Sequence, residues 1–333
     1  MQSKPISPAR RHLVATAAAI AATLSLPGLS HAAEAWPTKP IRYIVPFGAG
    51  GLADAVARAI AQPLSERLGQ PIVVENRAGV SGVLGTQLAA RAAPDGYTLV
   101  GGTITTHAVV PFFNKSIGYD PVKDFAPVSL VGTVTNVLVV NESSPYRSLA
   151  DLLADLRAHP DTLTYGTAGP GTTQHLAGEL LQSLTGTRMR QVPYKGGTQA
   201  MTDLMGGQIT MTFETSTVAR PLIEGHRVRA LGSTAPTPIP NLPGVVPIAS
   251  QGVPGFDVQS WQGVFAPAGT PPAVVDKLAE NIDAVLRMPE VRQHLAQIGM
   301  QIAYKGPADF ARYQSDEIVR WGKLLTAAGI KPE

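Results

Sequence analysis

The chain has 333 residues, with 27 basic and 24 acidic side chains and no cysteine, which excludes disulfides and thiolate chemistry. Setting aside residues 1–35 removes three of the 27 basic residues and one of the 24 acidic ones (Lys4, Arg10, Arg11 and Glu34), leaving 24 against 23. A chain so near neutrality has no electrostatic footprint for nucleic acid or an acidic membrane, and about 300 residues suffice for two cores.

Residues 1–35 read as an export signal. Arg10 and Arg11 form a basic start, residues 13–29 are apolar, and small-residue cleavage patterns follow at Ser30-His31-Ala32 and Ala33-Glu34-Ala35. Pro27 and Gly28 interrupt the apolar run, which is shorter than the ~20 residues of a spanning helix. The expectation is therefore cleavage and a periplasmic location; the arginine pair suits the folded-export route and the ordinary route equally.

Beyond the signal, strand and helix patterns alternate. Residues 41–45 form a short β-branched run; Leu52, Val56, Ile60, Leu64 and Leu68 then repeat every four residues up to Gly69, with Pro63 expected to kink that helix. A strand at 72–74, a helix at 83–92 and a strand at 98–100 complete a βαβαβ pattern, the signature of a parallel sheet.

The second half repeats the scheme. Ser148 with Asp151 resembles a capping box opening a helix to His159. Strands are expected at 163–165, 189–192, 209–213 and 228–233. The helices between them carry Leu176, Leu180, Leu181 and Leu184 and cover residues 199–205 and 218–224, before a proline-rich loop at 236–247. From Trp261 come a strand to Phe265, a helix opened by Pro271-Pro272, a short helix from Pro289, a strand at 301–304 and a last helix at 307–328. These terminal helices need a sheet to cover, which assigns residues 36–135 with 264–333 to one lobe and 136–263 to the other. Two crossings, near 135–140 and 260–265, would form a hinge.

Two glycine-rich junctions of one design stand out. Residues 46–54 and 165–173 each join a strand to an amphipathic helix, a geometry that aims free N–H groups and a positive helix end at one spot. The first contains Gly48-x-Gly50-x-x-Ala53, with Glu75 about twenty residues later, and so satisfies a dinucleotide fingerprint. An exported NAD(P)-dependent oxidoreductase is the alternative this raises, but the sequence offers it no convincing proton-transfer partner. The second has phosphate-loop spacing with Thr172 where a lysine must stand, which argues against nucleotide hydrolysis and leaves a nest of N–H groups suited to a carboxylate. Ser81 lacks an obvious base, and His107, His159, His175, His226 and His294 are scattered without metal-ligand spacing. No cofactor, metal or catalysis is expected. Asp54, in a first helical turn, reads as a cap or dipole partner.

Taken together, Trp36-Pro37-Thr38-Lys39-Pro40-Ile41, Pro46-Phe47-Gly48-Ala49-Gly50-Gly51-x-x-Asp54, Val74-Glu75-Asn76-Arg77, Thr106-His107-Ala108, the segment from Gly171 to Ala177, Pro193-Tyr194-Lys195-Gly196-Gly197 and Ala266-Pro267-x-Gly269-Thr270-Pro271 resemble the Bug family. Its members are extracytoplasmic solute-binding receptors of tripartite tricarboxylate transporters. The resemblance implies an α/β, two-lobed, Venus-flytrap fold of type II-like kind, each lobe a mostly parallel sheet flanked by helices. It also implies a monomer that delivers a small organic acid or amino acid to membrane permease subunits, or presents it to a sensor kinase. Carried onto this chain, the ligand-binding residues are Phe47, Gly48, Ala49, Gly50, Gly51, Asp54, Thr105 and Thr106 from one lobe. From the other come Ala168, Gly169, Gly171, Thr172, Thr173, Tyr194, Lys195, Gly196, Phe213 and Glu214; Lys195 reads equally as a solvated loop charge. Ala49 stands where proline is common, Ala78 and Val80-Ser81 interrupt a usual glycine-rich run, and Glu214 replaces a common aspartate, which alters reach and charge beside the ligand's far end.

Overall fold

In the computed structural model, residues 36–194 and 196–330 are described; the expected export signal at 1–35, Lys195 and residues 331–333 lie outside the described residues. The first strands are β1 (Ile41–Val45), β2 (Ile72–Asn76) and β3 (Thr98–Thr103), with helix α1 (Leu52–Leu68) after β1 and α2 (Val83–Ala90) after β2. β1 lies between β2 and β3, parallel to both. Its buried residues Ile41, Tyr43, Ile44 and Val45 make it a strand covered on both faces. α1 buries Val56, Ile60 and Leu64 and runs unbroken through Pro63 to Gly69, whose φ of 69° ends it in the left-handed region.

Strand β4 (Phe125–Asn141) is 17 residues long and was only partly legible as a crossing. Its first part, up to Thr135, pairs antiparallel with β9 (Gln259–Pro267) and β10 (Met300–Lys305). From Asn136 onward its partners are β7 (Met211–Thr215) and β8 (Val228–Ser233). One strand thus serves two sheets. The first holds β1, β2, β3, β9 and β10; the second holds β5 (Thr164–Thr167), β6 (Arg190–Pro193), β7 and β8, with β5 parallel to β6 and β7. Among the described strands, every antiparallel pair involves β4 or β9, the two that run between the parallel units.

The remaining helices are α3 (Leu149–Ala158), α4 (Thr173–Thr185), α5 (Gly197–Met205), α6 (Ser216–Glu224), α7 (Pro272–Leu286), α8 (Pro289–Gln297) and α9 (Pro307–Ala327). α3 opens with the expected box: Ser148 Oγ accepts from Asp151 N while the Asp151 carboxylate accepts from Ser148 N. From Lys39 onward the elements belong to one compact unit. Its core is aromatic where α9 meets the first sheet, with Trp261 edge-on to Phe310 at 5.7 Å. A Cβ at Gly263 would lie 2.2 Å from Phe310 Cζ, so the strand must be bare there for the ring to seat.

Candidate functional site

At the first junction β1 delivers residues 46–51 to the start of α1. Gly50 has φ 78°, and Gly51 is an extended N-cap whose helix start has no side-chain cap. The first N–H groups of α1 are therefore left without intrahelical partners. Asp54 braces this loop from within. Its carboxylate accepts from Gly50 N at 2.9 Å, Asn76 Nδ2 at 2.9 Å and Arg58 Nε at 3.0 Å. Burial raises its pKa, but these bonds outweigh burial and hold it below the usual carboxylate range. Asn76 also donates to Phe47 O at 3.1 Å. Gly48, Ala49, Gly50 and Gly51 are exposed, while the Phe47 ring lies beside Gly82, where a Cβ would be 2.9 Å from Phe47 Cζ. Glu75, the residue a ribose would need, has its carboxylate bound by Arg42 and Arg77.

The second junction leads from β5 into α4. Gly169 and Gly171 have φ of 108° and 75°, a conformation that glycine adopts without strain. Gly171 N donates to His175 Nδ1 at 3.2 Å, which makes Nδ1 an acceptor and puts the ring proton on Nε2, facing Glu179 Oε1 at 3.5 Å. Thr172 spends its hydroxyl proton on Gly169 O at 2.7 Å. Thr173 Oγ1 accepts from Asn136 Nδ2 at 3.1 Å, and Ala168 is half-buried beside the loop.

The first sheet's contribution to this loop comes from a widened, π-helical turn, Thr105–Val109, a form often found at functional sites. Thr105 Oγ1 donates across to Gly171 O at 3.2 Å. Thr106 turns inward, its Oγ1 accepting from Thr103 N at 3.0 Å and contacting His107 Nδ1 at 2.9 Å. His107 is stacked on Phe265 with ring centroids 3.9 Å apart.

A cavity of about 370 Å³ lies between the two sheets' helices, within the ~300–1,000 Å³ usual for small-molecule sites. Four helix starts border it. α1 contributes Gly50, Gly51 and Leu52; α4 contributes Gln174; α5 contributes Gly197 and Thr198; and α6 contributes Thr215, Thr217 and Val218. Each helix start leaves unpaired N–H groups and about half a positive charge, so the four together present on the order of two. A larger depression of about 620 Å³ runs beside Gln62, Glu66 and Pro71 at the end of α1. It is a more open groove without helix starts, and the smaller cavity is the better site on chemical grounds.

Glu214 also borders the cavity and is 4% exposed. Its Oε1 accepts from Thr215 N at 2.7 Å and from Thr215 Oγ1 at 3.2 Å, while Oε2 has no hydrogen-bond partner among the described residues. Burial pushes this carboxyl above its ordinary range, the Thr215 bonds opposing it in part. Oε2 rests on the start of α5: a Cβ at Gly197 would meet it at 2.2 Å.

Other expected ligand contacts are engaged elsewhere. Tyr194 donates its hydroxyl to Asp203 Oδ2 at 2.8 Å, on the side of α5, and Phe213 is fully buried against Phe256. Gly196, half-buried, is the extended N-cap of α5. Gln174, Gly197, Thr198, Thr215 and Thr217 border the cavity without having been singled out. Their signal was present in weaker form: Gly196-Gly197 after β6 and Thr215-Ser216-Thr217 after β7 repeat the strand-to-helix junction in abbreviated form.

Comparison with known proteins agrees with this geometry. Residues 56–330 match the model of the family described as tripartite tricarboxylate transporter family receptor. The chain is 41% identical over 293 residues to a protein from the tcbD–tcbE intergenic region of Pseudomonas sp. (strain P51), covering 88% of this chain and 87% of that one. Among solved structures it is similar to R. palustris Rpa4515 with adipate, at 38% identity and a TM-score of 0.82 over 90% of this chain and 100% of that one. It is likewise similar to the periplasmic binding protein BugD, at 32% identity and a TM-score of 0.79 over 90% of this chain and 100% of that one. With its paired junctions, its shared strand and these relatives, the chain belongs to the tripartite tricarboxylate transporter family of receptors and is a two-lobed solute-binding protein of the Bug type.

Proposed function

We propose that this protein captures a small carboxylate-bearing ligand between its lobes in the periplasm, without chemistry, and delivers it to the membrane permease of a tripartite transporter. The lobes of this reading are residues 36–135 with 264–333 and residues 136–263, with the two crossings near 135–140 and 260–265 as the hinge. Residues 1–35 act as a cleaved export signal. One observation carries the reading: four helix starts open on a single cavity of about 370 Å³, an arrangement that favours an anion. The ligand's carboxylate would be held by main-chain N–H groups at Gly51 and Leu52 on one side and at Thr173 and Gln174 on the other. Phe47, Gly48, Ala49, Gly50, Thr105, Ala168, Gly169 and Gly171 shape the two grips, while Gly196 and Glu214 meet the distal end. Adipate in a relative's structure supports an acid of this size as cargo.

The test is a thermal-shift screen of mono-, di- and tricarboxylates, amino acids and aromatic acids. A ligand at ~100 times its dissociation constant stabilises the folded state by roughly 2.7 kcal/mol, which raises Tm measurably. Stabilisation by nicotinamide dinucleotides, with no response to any carboxylate, would overturn the reading.

A further inference from the structure

Resting on that reading, the observations at Glu214 carry one step further. Every helix element around the distal half of the cavity offers donors: the starts of α4, α5 and α6 leave N–H groups free, and Thr198 adds a hydroxyl. Glu214 is the exception, a carboxyl among donors, buried, lining the cavity, with Oε2 unpartnered among the described residues. As a carboxylate it would repel the anion that the helix starts attract. As a carboxylic acid it becomes one more donor and completes the set.

We propose that Glu214 engages the ligand as the neutral acid, donating its Oε2–H to a second acidic group of the ligand held at the starts of α5 and α6, so that a dicarboxylate is bound together with one proton. The proton comes from solvent and stays on Glu214; no covalent bond is made or broken. An anion placed against Glu214 in a cavity stripped of water disfavours its ionised form, so ligand binding draws the proton in and a rising pH opposes binding. Among the described residues, the groups packed around Glu214 do not supply a competing charge. Gln174 faces it from α4, Gly197 from α5, Thr215 from its own strand end, and β4 pairs with it through Val137. His175, next to Gln174, is turned to Gly171 and Glu179. Lys195 lies outside the described residues. A side chain at Gly197 would push Oε2 from this position.

The experiment measures adipate binding to the mature protein by calorimetry between about pH 7 and 9, where both adipate carboxyls are ionised, in pairs of buffers with different ionisation enthalpies. The expected result is a net uptake approaching one proton per adipate bound and a dissociation constant that rises with pH, by about tenfold per unit in the upper range. In Glu214→Gln the amide cannot titrate, so the buffer dependence and that pH dependence disappear whatever the absolute affinity; dependence surviving there would assign the proton to another group, His175 included, and overturn the proposal. Adipate binding with no proton uptake in the wild-type protein also overturns it, while leaving the capture of carboxylates intact. Tighter binding of 6-aminohexanoate than of adipate would show Glu214 to be an ionised acceptor for a cationic ligand group and would overturn it too. Failure of every carboxylate to bind sinks both readings together. The wild-type buffer comparison decides the matter even if the variant does not fold.

Discussion

Thr217 donates its hydroxyl to the carbonyl oxygen of Ile298 at 2.6 Å, tying the start of α6 to the residue that follows α8. The contact is close on both sides, because a Cβ at Gly299 would lie 2.2 Å from Thr217 Oγ1. Like the bond from Thr105 to Gly171, it joins an element of the first sheet to an element of the second, and Thr217 and Ile298 both border the cavity. Moving the two sheets' elements apart would break both bonds.

Thr217→Val keeps the shape and removes the donor. An ordinary hydrogen bond contributes about 0.5–1.5 kcal/mol, so binding should weaken about two- to tenfold with little change in fold. Calorimetry with the best carboxylate from the screen checks this, and small-angle scattering should show a more open unliganded form. Unchanged affinity would mean that the bond is indifferent to closure.

Gly50→Val tests the first junction. No atom lies within 4 Å of a Cβ placed there, so the core is spared, but φ of 78° is unfavourable for a β-branched residue. Distortion of the loop should abolish measurable binding while Tm falls by only a few degrees. Retained affinity would move the carboxylate grip away from this loop.

Removing Asp54 should damage the same loop indirectly. In Asp54→Ala, Gly50 N, Asn76 and Arg58 lose their shared acceptor, and a loss of about 1–3 kcal/mol in stability is expected at neutral pH. The carboxyl's pKa is held low in the folded state, so its contribution is present above the ordinary aspartate range and is lost as pH falls through the depressed value. Urea unfolding of both proteins at pH 7 and at pH 3 should show the difference narrowing in acid.

His107 predicts a second acid-sensitive contribution, of opposite chemistry. Burial lowers its pKa from 6.5 to about 3, so the folded protein keeps it neutral while the unfolded chain takes up a proton. Stability should therefore fall as pH drops from 6.5 toward 3, by up to about 1.4 kcal/mol per unit. His107→Asn should remove that part of the slope in urea melts; an unchanged slope would show that the buried ring is not its source.

Much of the fold was readable because its evidence is local. The β-branched run at β1, the four-residue repeat of α1 and the Ser148 capping box each rest on neighbouring residues, and each element formed where its pattern lay. Strand β4 was harder, since Pro127, Gly132 and Asn136 interrupt its apolar run and its pairing partners lie far away in the chain. At the site, the two long glycine junctions declared themselves through composition. Thr106, Tyr194 and Phe213 did not reveal that their side chains were committed to Thr103, Asp203 and Phe256, because nothing in a linear motif states which way a side chain turns. Gln174 and Gly197, though part of the quoted motifs, were not named as ligand contacts for a related reason: their importance comes from where α4 and α5 begin relative to Glu214.

The shared strand β4 limits how independent the halves can be. Melting either sheet strips partners from a strand whose other end is still paired, so thermal unfolding should proceed as a single transition rather than two. Cutting the chain between Thr135 and Asn136 would leave each fragment with a raw sheet margin where a neighbour used to be, and neither piece should survive alone as a soluble domain.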